Sequence, residues 1–235
     1  MRKTPFLIGK YYHIYNRGTD KRVVFKDNID LQRFFQSMGE FNTLEPIGSI
    51  FENNFKKKEN QLLLGTPTTK LVDFVVYCLN PNHYHFILTP LVDQGIEKFM
   101  QRLGGGFTRY FNERYNRNGV LFQGKFKSVY IDSDEYLLYL NVYVNLNDRV
   151  HSLGTPTTKW VTKSSWNEYV GEGGENICNK EMVLDRFNSK LEYKEFAEET
   201  LEGLIEKKEE LKSSIQNYIV NHTKFNYKKP DELDL

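Results

Sequence analysis

The spacing of apolar residues changes several times along the first 150 positions, and each change predicts an element. Tyr11-Tyr12-His13-Ile14-Tyr15-Asn16-Arg17-Gly18 is aromatic-rich and closes on Asn and Gly, which predicts a strand ending in a turn. From Asp27 to Phe41 the apolar residues Ile29, Phe34, Phe35 and Met38 approach helical spacing behind a capping Asp27 or Asn28. Residues 43–70 lose periodicity and predict a long loop. Leu71 to Cys78 is a β-rich run, Asn80-Pro81-Asn82 supplies turn chemistry, and His83 to Leu88 returns as the second arm of a hairpin. Gln94 to Arg117 reads as a helix that Gly104-Gly105-Gly106 should weaken or bend. Val120 to Ile131 predicts a strand, and Ser133 to Leu146 a helix opened by an Asp132…Glu135 capping pattern.

The order β-α-β-β-α-β, followed by one more helix, predicts an α+β fold. It is the ferredoxin-like split pattern, an antiparallel sheet with helices on one face. We expect residues 1–150 to form this domain. Residues 151–235 then form a largely helical, acidic extension, in which Leu201, Leu204, Ile205, Leu211 and Ile215 can dock on the domain or on a partner.

Composition narrows the functional classes. The chain has 235 residues, with 39% hydrophobic and 14% aromatic positions, and no run apolar enough for a spanning helix. No signal peptide is evident behind Met1, and Cys78 and Cys178 have no metal-type spacing, so we expect a cytoplasmic protein without membrane attachment. A net charge of +1 conceals an asymmetry: residues 1–150 hold 20 basic against 15 acidic side chains, residues 151–235 hold 12 against 16. Residues 95–130 alone hold 7 basic and 2 acidic side chains, interleaved with Phe107, Tyr110, Phe111, Tyr115, Phe122 and Phe126. That mixture suits a phosphate backbone with exposed bases, and equally a solvated helix face over an aromatic core.

His83 and His85 flank Tyr84 on a predicted strand, so both imidazoles leave one face and Tyr84 the other. Two neutral imidazoles can ligate one divalent cation and leave positions open for a phosphate oxygen. On the last predicted helix of the domain, Tyr136, Tyr139 and Tyr143 repeat at helical spacing, and Asn147 follows Tyr143 by four residues on the same face. A phenol at Tyr143 beside a ligating amide at Asn147 would make a nucleophile next to a metal; Tyr136 and Tyr139 read as packing residues. Gln123, Lys125 and Lys127 alternate onto one strand face and can follow phosphates, with Arg17, Arg102 and Arg109 as further candidates for DNA contact.

Several of these segments together resemble one family. Tyr12-His13-Ile14-Tyr15-Asn16-Arg17-Gly18, Asn80-Pro81-Asn82-His83-Tyr84-His85-Phe86, Phe107-Thr108-Arg109-Tyr110-Phe111-Asn112, Leu121 to Ser128 and Tyr143-Val144-Asn145-Leu146-Asn147 are similar, in order, to the REP-associated tyrosine transposases. These are a branch of the single-tyrosine His-hydrophobic-His transposases, and Ser164 to Tyr169 also resembles their downstream segment. The resemblance implies a metal-dependent endonuclease and strand-transferase for single-stranded DNA hairpins, working through a 5′-phosphotyrosine link; for the chain itself either a monomer or a homodimer is expected. It assigns His83 and His85 as ligands of Mg²⁺ or Mn²⁺, Asn147 as the third ligand and Tyr143 as the nucleophile. One departure is Asp148, where the family commonly has proline: the helix end is open there, and a carboxylate is added near the metal. Two other readings of the chain are a non-catalytic hairpin-binding protein on the same fold and a ferredoxin-like RNA-binding module.

Leu64-Gly65-Thr66-Pro67-Thr68-Thr69-Lys70 recurs letter for letter as Leu153 to Lys159. One reverse translation is CTT GGT ACC CCT ACT ACC AAG, whose ends CTTGGTA and TACCAAG are reverse complements. Two copies of a hairpin-forming element inside the gene would account for the repeat, and the nucleotide sequence decides it: codons that cannot pair exclude the idea.

Overall fold

The computed structural model describes residues 5–53, 69–153 and 161–221, with side chains described up to residue 214. Strand β1 (Tyr11–Arg17) leads to helix α1 (Asn28–Glu40), then to the hairpin β2 (Val72–Asn80) and β3 (His83–Pro90). Helix α2 (Gly95–Arg114), strand β4 (Lys127–Ile131) and helix α3 (Asp134–Asn145) complete the expected order. The sheet runs β4-β1-β3-β2-β5 and is antiparallel throughout, so the β-α-β-β-α-β reading and its strand pairing hold. The fifth strand, β5 (Lys163–Ser164), comes from beyond residue 150 and lies against Cys78 and Leu79 on the β2 edge.

Four local expectations need correction. The strand foreseen over 120–131 begins only at Lys127, because Gly124 adopts φ +64° and turns the chain out of the ladder. Before it, Phe122 makes a single bridge to Gly18. Ser133, rather than the Asp132…Glu135 pair, caps α3, its side chain accepting from the Tyr136 N–H at 3.2 Å. The loop foreseen over 43–70 contains a helical stretch at 50–53. Helix α2 ends at Arg114 and passes through its three glycines as helix. The repeated segment lies outside the described residues except for Thr69, Lys70 and Leu153.

The glycines make different demands. A Cβ on Gly106 would sit 2.6 Å from Cε2 of the buried Phe41 ring, whereas Gly104 and Gly105 have open space where a side chain would go. Gly105→Ala is therefore expected to stabilise the fold by about 1 kcal/mol through helix propensity. Gly106→Ala is expected to cost about 1–3 kcal/mol through overpacking. Urea unfolding of the two variants checks the opposite signs.

Two cores form because strand residues alternate. On one face Ile14, Phe74, Tyr84, Phe86 and Leu88 pack under α1 and α2, with Phe34, Phe99 and Phe107 in the same cluster. Arg114 ties the two helices, reaching Asp27 at 2.7 Å and the fully buried Asp30 at 2.5 Å. Tyr110 and Tyr115 donate their hydroxyls to the same Asp30 carboxylate, at 3.0 and 2.8 Å, so this buried charge is fully answered. On the other face Val75, Val76, Cys78 and Ile87 pack against Leu137, Leu140 and Val144 of α3. Helices thus cover both faces, not one.

After α3 come α4 (Asn147–Val150), α5 (Trp166–Val170), α6 (Glu181–Leu184) and the long α7 (Lys190–Asn221). Tyr193, Ala197, Leu201 and Leu204 of α7 join the second core; Ile205 faces solvent and Leu211 is half-buried. The Ile215 side chain lies outside the described set. Among the described residues no helix is long and apolar enough to cross a membrane.

Candidate active site

Antiparallel register collects the chemistry on the α3 face. His83 faces Arg17 across the β1–β3 pair, His85 faces Tyr15, and Ile87 faces His13, so all six side chains share one face. The alternation expected from the His83-Tyr84-His85 triplet holds, since Tyr84 is buried in the opposite core. The two imidazole centroids are 5.1 Å apart with ring planes at 89°.

Asn147 meets this pair from above. The α3 helix breaks at Leu146, whose φ −109° and ψ 19° leave helical geometry, and the chain resumes as the single turn α4. The helix end that Asp148 left open is thus a one-residue interruption followed by one more turn. Asn147 is completely buried, and its Oδ1 lies 3.2 Å from His83 Nε2. His83 Nδ1 sits 2.6 Å from Asn82 Oδ1, an atom that can only accept, so the ring proton is on Nδ1 and Nε2 carries a lone pair. Asn80 Nδ2 donates to both acceptors, to Asn147 Oδ1 at 2.6 Å and to His83 Nε2 at 2.9 Å. Two lone pairs are therefore held face to face by one amide.

That separation fits a shared cation. Adjacent ligands of an octahedral Mg²⁺ with bonds of 2.0–2.1 Å stand about 3 Å apart. Asn147 Nδ2 is buried with no hydrogen-bond partner among the described residues, whereas its Oδ1 is held between Asn80 and His83. Among the described residues there is no group of three or more His, Cys, Asp or Glu that could hold a metal ion; the donor set here is two imidazoles and an amide oxygen. Asp148 is half-buried, and burial raises its carboxyl pKa beside Cys78 and Thr162.

Tyr143 stands edge-on to His85 at 5.8 Å and to His13 at 6.4 Å, with ring planes at 85° in both cases. Burial raises its phenol pKa, and the neighbouring Asn147 amide partly offsets this. A raised phenol is a poorer nucleophile at neutral pH, so an attacking Tyr143 would need an electrophile that is itself activated.

The extension braces this tyrosine from behind. Asn141 and Asn145, on the same helix, are both completely buried. The Tyr193 hydroxyl donates to Asn141 Oδ1 at 2.7 Å and accepts from Asn145 Nδ2 at 3.1 Å. Asn141 Nδ2 donates to Tyr169, which donates to the Val75 carbonyl, and Ser165 donates to Asn145 Oδ1 at 2.6 Å. Every polar group in this network has a partner, so it fixes α3 against β2 and α7.

The expected DNA-contact residues divide among three places. Arg17, hydrogen-bonded through Nε to the Gln123 side chain, and Lys127, whose Nζ is 5.9 Å from the Tyr15 ring, lie on the His83/His85 side. Arg109 and Lys125 line a groove of about 1300 Å³ on the other side of the sheet, between α2 and the 116–126 segment, together with Arg117 and Phe126. Arg102 joins neither group; it donates to the Thr43 and Leu44 carbonyls at 2.5 and 3.2 Å. Gln123 and Lys125 precede the strand, so the three-residue alternation expected there does not form.

Sequence reasoning did not single out His13, Asn80, Asn82 or His151. The His151 ring lies 6.2 Å from that of His83, and α7 brings Lys208 and Lys212 close to it. Burial holds both His13 and His151 down at about 4. Both are neutral when folded but protonate near 6.5 when unfolded, so the unfolded chain binds more protons between those values. Their contribution is complete above pH 6.5 and is lost as pH falls toward 4. For His13 the shift corresponds to about 3 kcal/mol, and the half-buried His151 adds less. Guanidinium unfolding at pH 7.5, 5.5 and 4.5 is expected to show this decline; equal stability at all three would contradict it.

Residues 48–147 match the family model described as "Transposase IS200 like". No curated protein matches the chain. A solved structure of a REP-associated tyrosine transposase bound to a REP hairpin is similar at 13% identity and a TM-score of 0.45, over 75% of this chain and 88% of that one. The matched stretch, residues 48–147, holds His83, His85, Tyr143 and Asn147 and is similar to the IS200-like transposases.

Proposed function

We propose that the protein is a metal-dependent endonuclease and strand-transferase for single-stranded, hairpin-forming DNA. The observation that carries this reading is the convergence on one sheet face of Tyr143, the His83/His85 pair and the Asn147 oxygen, 3.2 Å from His83 Nε2. A binding protein has no use for two lone pairs held together beside a phenol.

His83, His85 and Asn147 would hold Mg²⁺ or Mn²⁺, which when bound polarises the scissile phosphate and orients it for in-line displacement. Tyr143 Oη attacks phosphorus and loses its proton to solvent; the bond to the 3′ oxygen breaks, and that oxygen takes up a proton. The products are a 5′-phosphotyrosine and a free 3′-OH. A 3′-OH of the same or another strand reverses the step and releases Tyr143, so the phosphodiester energy is conserved. Asn80 keeps the Asn147 oxygen and the His83 nitrogen together, and the Tyr193 network keeps Tyr143 over them. Arg17 and Lys127 on the catalytic face, and Arg109 and Lys125 in the groove, offer charge to the DNA backbone on either side of the sheet.

Incubation with a labelled single-stranded oligonucleotide carrying the CTTGGTA…TACCAAG hairpin and its genomic flanks, with Mn²⁺ or Mg²⁺, tests the proposal. A covalent protein–DNA species that requires metal is expected. Tight hairpin binding that never yields it would favour the non-catalytic reading, and preference for single-stranded RNA would favour the RNA-binding one.

A further inference from the structure

One buried contact lies next to the catalytic group and plays no part in the reaction as written. His13 Nε2 and His85 Nδ1 are 2.9 Å apart, both side chains are buried, and the rings are stacked at 5.1 Å with planes at 18°. They come from adjacent strands, on the same face and one register step apart: His13 faces Ile87 and Tyr15 faces His85. The Tyr15 ring stacks on both, at 5.0 Å from His13 and 5.7 Å from His85, and Tyr143 stands edge-on to both imidazoles. His85 therefore has little freedom to turn its ring.

Two ring nitrogens at 2.9 Å share one proton between them. If His13 donates, His85 carries its own proton on Nε2 and cannot ligate through that atom. If His85 donates from Nδ1, its Nε2 keeps a lone pair. His83 is already set in the second pattern, its Nδ1–H donating to Asn82 and its Nε2 turned toward Asn147. A cation held by both imidazoles through Nε2 requires the same pattern at His85, and a ligating histidine generally donates its other ring proton to a fixed acceptor.

We propose that His13 is a positioning residue that accepts a hydrogen bond from the Nδ1–H of His85 and thereby holds its Nε2 lone pair toward the divalent cation. This rests on the metal-dependent reading above. His13 and Asn82 then do the same work for the two imidazoles, one from β1 and one from the β2–β3 turn.

Two measurements on the full chain test it. In ¹⁵N-labelled, metal-free protein at pH 7.5, ring ¹⁵N–¹H correlation spectra are expected to show His85 as the Nδ1–H tautomer; an Nε2–H signal for His85 would overturn the proposal. Mn²⁺ binding, followed by electron paramagnetic resonance, is then compared among wild type, His13→Phe and His13→Gln. Phenylalanine keeps the stacked ring and the burial but offers no acceptor, and it is expected to weaken Mn²⁺ binding about 10–100-fold. Glutamine offers an amide oxygen and is expected to recover most of that loss. Wild-type affinity in His13→Phe, or equal loss in both variants, would overturn the positioning role while leaving the metal site standing. Absence of Mn²⁺ binding by folded wild-type protein would remove the metal-dependent reading itself.

Discussion

Tyr143→Phe is expected to abolish the covalent protein–DNA species and to lower strand cleavage by roughly 10⁴-fold or more, since the nucleophile acts as one unit with its neighbours. Binding of the hairpin should be unchanged, because the phenol oxygen is the only atom removed. The ring's edge-on contacts with His13 and His85 do not need the hydroxyl. The fold should lose at most about 1 kcal/mol, the worth of one hydrogen bond. Thermal melting, filter binding and denaturing gels on the same preparation separate these three quantities. Cleavage at wild-type rate by Tyr143→Phe would move the nucleophile elsewhere in the chain.

His83→Ala should be nearly as severe, by a different route. It removes the nitrogen 3.2 Å from Asn147 Oδ1 and leaves that oxygen with the Asn80 amide as its hydrogen-bond partner among the described residues. A polarising cation supplies several kcal/mol of charge stabilisation, so its loss corresponds to about 10²–10³-fold or more in rate. Mn²⁺ affinity should fall in parallel, and raising the Mn²⁺ concentration should restore part of the cleavage. Loss of cleavage with Mn²⁺ affinity intact would show that His83 acts on the DNA rather than on a metal.

Local period and element order made much of this legible in the sequence. The alternation through His83, Tyr84 and His85 decides which side chains share a face, and the β-α-β-β-α-β order leads directly to the strand order β4-β1-β3-β2. Helical spacing pairs Tyr143 with Asn147, and the Asn147 amide does neighbour the Tyr143 phenol although the helix breaks between them at Leu146.

What escaped depends on distance along the chain. His13 is 72 residues from its partner His85, and Tyr193 is 48 from Asn145; neither pairing leaves a local pattern. Asn80 carries a turn signal that hides its second role as donor to both acceptors. The basic excess around α2 was legible as charge but not as use. Arg114 answers buried Asp30 and Arg102 holds two backbone carbonyls, so part of the charge that suggested nucleic acid serves the fold. Gly124 delays the start of a strand that the apolar residues before it suggest, because backbone freedom outweighs pattern where φ turns positive.

The most direct test of the central claim is to trap the protein on hairpin DNA with Mn²⁺, digest both, and locate the nucleotide-bearing peptide by mass spectrometry. The chain has 15 tyrosines, and Tyr15 and Tyr139 lie close enough to Tyr143 to influence its phenol, so the assignment discriminates. The account predicts a phosphodiester-linked nucleotide on Tyr143 and nowhere else; the nucleotide on another tyrosine, or DNA cleaved with no modified peptide, would contradict it.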